Sequence, residues 1–347
     1  MKVSVIIPVY NAEATIGKTL HALLRQNKAD FLLEIITVDD GSTDATPTIL
    51  QGFQGIKVIR QMNAGPASAR NTGARAATGD ILAFTDSDTI PHPEWLDELI
   101  QPFSTASIMA TAGTYTIANP GNRLAEVIQK EITWRHARYG EFIEFGGTYN
   151  LAVRKELFER IGGFNETFRR ASGEDNDFCY RILRQGHRIK YVPTAKVAHY
   201  HPEKFLKYLR EQFRHGFWRA KLYMEHPVHL SGDSYTGKKD IFETLCCLGL
   251  FLSFCVSLLN RGASFQKRWP QLSWFPSSLS WLALLVAIET RVAIEQANTV
   301  KHFFHTSLIF STRAIARSAG FISGMLCFGL RTTNIQNKNR LLSVAKK

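Results

Sequence analysis

The sequence predicts an α/β fold, a Rossmann-like, mostly parallel sheet with helices on both faces, continued by a C-terminal region of membrane-associated helices. Three observations carry this expectation. Between Val3 and Phe103, β-branched apolar runs alternate with helix-like segments. Each run ends in a polar cluster, and the carboxyl ends of parallel strands are where such a sheet binds its ligands. The last third turns apolar over lengths that suit membrane helices.

Strands are expected at Val3–Val9, Ile35–Val38, Lys57–Ile59 and Ile81–Phe84, with helices near 14–25, 44–51 and 67–77. A second portion, Thr111–His201, mixes shorter runs with loops rich in Gly, Asn and aromatics, and completes one domain over residues 1–202. Residues 203–239 form a helix and linker. There Phe205, Leu209, Phe213 and Phe217 recur at i,i+4 spacing among Lys204, Lys207, Arg210, Arg214, Arg219 and Lys221. Such a helix either lies in a membrane interface or packs on the domain with its basic face in water.

Residues 240–347 form the apolar helical region. Ile241–Leu259 has the length of a span, whereas Trp274–Ile288 is short for one. Phe303–Leu330 carries Arg313 and Arg317 on an otherwise apolar helix, which predicts a helix lying on or partly in the bilayer. Arg261, Lys267 and Arg268, between the first two runs, belong on the cytoplasmic side by the positive-inside rule.

The formal net charge of +12 is compatible with nucleic acid, an anionic membrane or a small anionic substrate such as a pyrophosphate. The basic residues accompany no nucleic-acid-reading motif and lie beside apolar segments, so the expected partner is a membrane and not nucleic acid. Cys179, Cys246, Cys247, Cys255 and Cys327 show no metal-type spacing and read as reduced thiols of a cytosol-facing protein. Met1–Tyr10 is apolar over too short a run for a signal peptide and reads as a first strand.

The chemistry-bearing residues sit at the expected strand ends. Asp86 and Asp88 follow the run Ile81–Phe84 and can both turn toward a hard divalent cation. Alone, such a pair is more often a solvated turn. Asp39-Asp40-Gly41-Ser42-Thr43-Asp44 follows another strand, and its carboxylates can accept hydrogen bonds from a base or a ribose. Arg70, within Asn63–Asn71, can meet phosphate or brace the acidic cluster.

Val3–Asn11, Val38–Asp44, Ala69-Arg70-Asn71-Thr72-Gly73 and Gly79–Asp88 together resemble family 2 glycosyltransferases of the GT-A fold, and the likeness continues through Asn150–Gly163 and Gly173–Phe178 to Arg181 and Gly186. The resemblance spans about the first 200 residues. It implies a donor site formed by Pro8, Tyr10, Asn11, Asp39, Asp40, Arg70, Asp86 and Ser87. It implies a Mg²⁺ or Mn²⁺ ion held by Asp88, Asp86 and a histidine, His199 being better spaced than His201. It makes Asp175, with Glu174 beside it, the catalytic base that deprotonates an acceptor hydroxyl. Gly146, Gly147 and Asn150 are then expected to shape the acceptor pocket, where Trp134 and Tyr149 either stack on sugar or belong to the core.

Without the resemblance, Glu174 and Asp175 read as acids opening a helix, with Arg181 as an ion-pair partner. Gln212, Arg214 and Trp218 are loosely like a loop of processive synthases, but their order departs from that motif, which argues against a polymerase.

The implied function is transfer of a sugar, with inversion, from a nucleoside diphosphate donor such as a UDP-sugar to a glycan or lipid-linked acceptor. A sugar nucleotidyltransferase would carry a Gly-rich basic loop after its first strand, and Pro8-Val9-Tyr10-Asn11 is not one. A non-catalytic scaffold would have no reason to keep Asp40, Asp86, Asp88 and Asp175 together.

Overall fold

The computed structural model describes residues 1–26, 31–170, 172–259, 278–296 and 300–344. Arg261, Lys267, Arg268 and Trp274 lie outside them. The chain divides into two compact units, Met1–Glu203 with Asp233–Tyr235, and Lys204–Gly232 with Thr236–Lys347.

The first unit is built on a nine-stranded sheet of order β3-β2-β1-β4-β8-β6-β9-β5, with β7 paired to β9. Strands β1 (Lys2–Val9), β2 (Leu32–Asp39), β3 (Lys57–Arg60) and β4 (Ile81–Phe84) run parallel, as the alternating pattern predicts. Beyond β4 the sheet becomes mixed. β8 (Leu151–Arg154) lies antiparallel between β4 and β6 (Ala110–Ile117), and β9 (Ile189–His199) runs parallel to β6. β5 (Thr89–Pro91) and β7 (Phe142–Ile143) pair antiparallel to β9. The parallel expectation therefore holds for β1–β4 and for the β6–β9 pair, and not for β5, β7 and β8.

Residues of β1 alternate between two cores. Val3, Val5, Ile7 and Val9 face one core with α1 (Ile16–Leu24) and α4 (Trp95–Ile100). Ile6 faces the other, with α3 (Pro66–Ala76), α6 (Lys155–Arg160) and α7 (Glu174–Arg184). The short α2 (Thr46–Gln51) follows the β2 turn, and α5 (Arg123–His136) follows β6. Helix α3 comes unusually near the sheet at Gly73, where a Cβ would lie 3.2 Å from Val38 Cγ2 and collide with Ile6. Helix and strand ends are thereby drawn to one edge.

Asn150 ties the mixed half together. Its Nδ2 donates to the carbonyls of Thr114 (2.7 Å) and Ala195 (2.9 Å), and its Oδ1 accepts from Trp95 Nε1 (2.8 Å). The side chain is wholly buried. A buried amide that satisfies two carbonyls and an indole is costly to remove.

The second unit holds α8 (Phe205–Glu225), α9 (Lys238–Leu259) and the helices Ser278–Gln296 and Val300–Val344. Helix α8 packs closely on Val300–Val344: an added Cβ at Gly216, Gly320 or Gly324 would run into the backbone of Arg317, Phe213 or Phe217. Arg313 and Arg317 do not face outward as expected of a helix lying on a bilayer. Arg313 is buried 3.2 Å from Glu289, and Arg317 donates to Gln212 Oε1 at 2.5 Å and stands 3.4 Å from Asp240. Large apolar side chains instead face out, among them Phe242, Phe251, Phe254, Leu279 and Phe304.

Asn150→Ala should lower stability by about 3 kcal/mol, since three buried partners lose their bonds. For a unit of this size, thermal unfolding should shift down by roughly 6 to 12 °C. A shift within the error of the melting curve would contradict the role given to this amide.

Candidate active site

The carboxyl ends of β1, β2 and β4 bring the predicted residues to one edge. After β1, Pro8 is half-buried and Tyr10 is exposed at the surface. Asn11 adopts a left-handed backbone (φ 47°), with its amide bonded to Ser42 Oγ and its Oδ1 accepting from Thr43 N at 2.8 Å. It joins the β1 and β2 loops and is structurally committed.

The two aspartates after β2 differ. Asp40 accepts from Gln61 Nε2 (2.7 Å), Ala64 N (2.9 Å) and Gly65 N (2.9 Å), so it tethers the loop that leads into α3. Gly65 caps that helix at φ 95°, and any Cβ there would press on the Arg169 backbone. Asp39 accepts from Ser42 N through Oδ1, whereas its buried Oδ2 has no hydrogen-bond partner. Arg60 Nε stands 3.5 Å from that oxygen, within ion-pair range. Sequence reading missed Arg60, although its position at the end of a short strand marks it.

After β4, the turn Asp86–Asp88 is held from below. Thr85 Oγ1 meets Thr89 Oγ1 at 2.8 Å, Thr89 Oγ1 donates to the Asp86 carbonyl, and Thr19 Oγ1 donates to the Ser87 carbonyl at 3.1 Å. Thr19, Thr85 and Thr89 were also missed, because hydroxyls that brace a turn carry no motif of their own. Ser87 is half-buried, and the Asp86 and Asp88 side chains are 27% and 45% exposed, so both acids face solvent. His199, at the end of β9, brings Nε2 to 3.6 Å from Asp88 Oδ1. His201 is buried and engaged by Gln129 Oε1 at 2.8 Å, which leaves His199 as the histidine beside the acidic turn.

Arg70, expected to touch the donor, is buried. Its Nη2 donates to Asp86 Oδ1 at 2.7 Å and its Nη1 to Glu174 Oε1 at 3.0 Å. Burial opposes its charge, but the two carboxylates outweigh that and hold its pKa above the ordinary arginine value. Glu174 also accepts from Ser172 N at 2.8 Å. It is 3% exposed, so in this structure its carboxylate is committed to Arg70 and Ser172, and Asp175 is the more accessible of the two predicted acids.

Asp175 is half-buried in the first turn of α7, its Oδ1 accepting from Asn176 N. The helix is capped by Gly173 at φ 99°, so Glu174 and Asp175 lie inside the helix start rather than capping it. Arg181 pairs with Asp177 at 2.8 Å.

The expected acceptor floor is largely core. Asn150, expected at the acceptor site, is wholly buried with its amide engaged by Trp95, Thr114 and Ala195. Gly146 is buried against Ala112 and donates its amide to Cys179 Sγ at 3.4 Å, and Gly147 is buried against the Tyr149 ring. Both glycines serve close packing here. Tyr149 packs edge-on against Tyr115 with centroids 4.3 Å apart, and Arg138 lies over the Trp134 ring at 3.2 Å.

A parallel half-sheet joined to a mixed half is the GT-A arrangement. Its fold is shared by a mannosyltransferase from Pyrobaculum calidifontis solved with GDP-Man and Mn²⁺, at TM-score 0.57 and 18% identity, over 92% of this chain and 86% of that one. Residues 4–173 match the profile of Glycosyl transferase family 2. Glycosyltransferase AglE of Haloferax volcanii is 30% identical over 237 residues, 66% of this chain and 76% of the relative. The pre-mycofactocin glycosyltransferase of Mycobacterium tuberculosis is 30% identical over 239 residues, 65% of this chain but 48% of that protein, so the chain spans about half its length. The chain belongs to glycosyltransferase family 2.

Two buried histidines near the site predict acid sensitivity. Burial pushes His136 down to about 4 and His201 to about 3, with Arg135 adding to the first and His199 to the second. Below about 6.5 the unfolded chain takes up protons at these positions that the folded chain refuses until near those lower values. Stability is therefore full above pH 6.5 and falls as pH drops toward 4, by about 1.4 kcal/mol per unit for each histidine. Urea midpoints should decline between pH 7 and pH 5. Equal midpoints would refute buried, neutral imidazoles.

Proposed function

We propose that the chain is an inverting glycosyltransferase that moves a sugar from a nucleoside diphosphate donor, with a UDP-sugar as first candidate, to a glycan or lipid-linked acceptor at a membrane. The product would enter cell-surface polysaccharide or glycolipid. The observation that carries the reading is at the start of α7. Glu174 and Asp177 are buried and locked to arginines, while Asp175 between them is half-buried and the most exposed of the three acids of that turn.

Asp39 supports a base with a ring N–H. Its buried Oδ2 is an acceptor without a hydrogen bond, which suits uracil N3–H or guanine N1–H. Cytosine and adenine offer a ring acceptor at the equivalent place and would be disfavoured. Tyr10, exposed beside it, is available to cover the base.

The solvent-facing carboxylates Asp86 and Asp88 with the His199 imidazole fit a Mg²⁺ or Mn²⁺ ion by donor type. When bound, the ion offsets the charge that grows on the departing diphosphate. Asp175 takes the proton of the acceptor hydroxyl as that oxygen attacks the anomeric carbon opposite the leaving nucleotide, which inverts the configuration. Asp39 and the neighbouring loop hold the nucleotide still during the displacement.

The second unit supports the membrane part of the reading. α9 contains a stretch, Lys238–Ser257, long and apolar enough to cross a bilayer, with mean hydropathy 1.7. Phe242, Phe251 and Phe254 on it are more than half exposed, whereas Glu243 and Glu289 are buried beside Lys239 and Arg313. Charge inside and apolar surface outside suits lipid better than water. On α8, Leu206 and Phe213 are exposed near Lys207, Arg210 and Arg214, a combination suited to anionic headgroups. The α/β domain would then work on the cytoplasmic side.

Asp175→Asn should lower kcat about a hundredfold or more with donor binding nearly unchanged. Full transfer by that variant would remove Asp175 as the base. Product anomers read by NMR should be inverted relative to the donor, in a screen of UDP-, GDP-, CDP- and ADP-sugars with Mn²⁺. Preferred use of a CDP- or ADP-sugar would overturn the role given to Asp39. The full chain should float with vesicles containing phosphatidylglycerol, and less so after joint Lys207→Glu, Arg210→Glu and Arg214→Glu substitution. Flotation that ignores both lipid charge and these changes would remove α8 from the contact.

A further inference from the structure

We infer that Arg70 is a positioning residue that sets the metal-facing carboxylate of Asp86 and the start of the base-bearing helix α7 in one rigid geometry. The inference rests on the proposed transfer reaction and deepens it. Arg70 is 2% exposed, so it is not available to a phosphate. Its planar fork spans two elements far apart in sequence, with one arm on Asp86 at the end of β4 and the other on Glu174 at the first position of α7. Phe164 underlies the guanidinium, its ring centroid 5.7 Å away.

The chemistry of the fork matters. Arg70 engages Asp86 through Oδ1 while the Asp86 side chain stays 27% exposed, so its second oxygen is the one left for a cation. A carboxylate fixed in this way presents its second oxygen without having to choose a rotamer when a cation arrives. Glu174 is fixed by the other arm and by Ser172 N, and Asp175 follows it directly in the helix. The distance between cation and base is therefore set by one side chain that touches neither substrate. Lysine could hold one of these acids but not both, because its ammonium is a point donor and not a planar fork.

Two simpler roles predict different outcomes. If Arg70 were only a nearby positive charge, removing it would tighten divalent binding by relieving repulsion, and Arg70→Lys would leave it unchanged. If it served only to hold the fold, metal affinity and the pH profile of a folded variant would both stay as in the parent.

The test uses the full chain with Mn²⁺ titrated calorimetrically in the presence of UDP, and steady-state transfer over a range of pH. Arg70→Lys should weaken Mn²⁺ binding about tenfold, as loss of an orienting partner does. Its kcat should fall while the donor KM stays near the parent value at saturating Mn²⁺, and the acidic limb of the kcat profile should move. Glu174 left unpaired in the interior is costly, so the paired change Arg70→Met with Glu174→Gln removes both charges together and keeps the question answerable if the single variant does not fold. That folded pair should also bind Mn²⁺ more weakly. Unchanged or tighter Mn²⁺ binding with an unmoved pH limb, in either folded variant, overturns the positioning role. If the parent chain itself shows neither Mn²⁺-dependent UDP binding nor transfer, the proposed function fails and not merely this residue's part in it.

Discussion

The buried guanidinium of Arg70 is the interaction on which the geometry of the first unit depends. A cation taken out of water must be met by carboxylates, and the two that meet it come from the end of β4 and the start of α7. The parallel half-sheet alone would place Asp86 but would leave α7 free to settle by apolar packing, through Phe178 and Ile182 against Phe158 and Phe164. Packing fixes which face of a helix is inward. The directional bonds of the fork fix where its first turn stands along the cleft.

A division of labour among acids follows from burial. Asp40, Glu174 and Asp177 spend their oxygens on backbone amides or arginines, and each holds a loop or a helix in place. Asp86, Asp88 and Asp175 keep more exposure, and Asp39 keeps a buried oxygen without a hydrogen bond. Neighbouring residues in a motif thus take opposite roles. In the pairs Asp39/Asp40 and Glu174/Asp175, one member holds the framework, and the proposed chemistry falls to the other.

The same division explains what could be read from sequence. β1 and β4 were legible because near-continuous apolar runs mark inner strands buried on both faces, and Asp86 and Asp88 because they stand where such a run stops. The antiparallel insertion of β8 was not legible, since strand direction depends on which end the chain enters from and leaves no mark in four residues. The burial and partners of Asn150 and Glu174 were not legible for a related reason. Residue type tells what a group can bind, but only the fold tells which partners reach it first, and here Trp95, Thr114 and Ala195 claim one while Arg70 claims the other. The choice between His199 and His201 likewise needed Gln129, which is distant in sequence.

In the second unit the physical problem is reversed. Arg313 on a long apolar helix suggested a side chain seeking headgroups, because an isolated arginine in hydrocarbon is expensive. The structure instead surrounds it with Glu289 and Glu243, with Lys239 completing the group. Two acids and two bases carry no net formal charge, so the cluster can sit among apolar helices without a counterion from outside. A water-soluble bundle would be expected to turn such groups outward and the phenylalanines inward. The opposite arrangement leaves Phe242, Phe251, Phe254 and Phe304 exposed, a surface that the proposed bilayer would cover without requiring a matching protein surface.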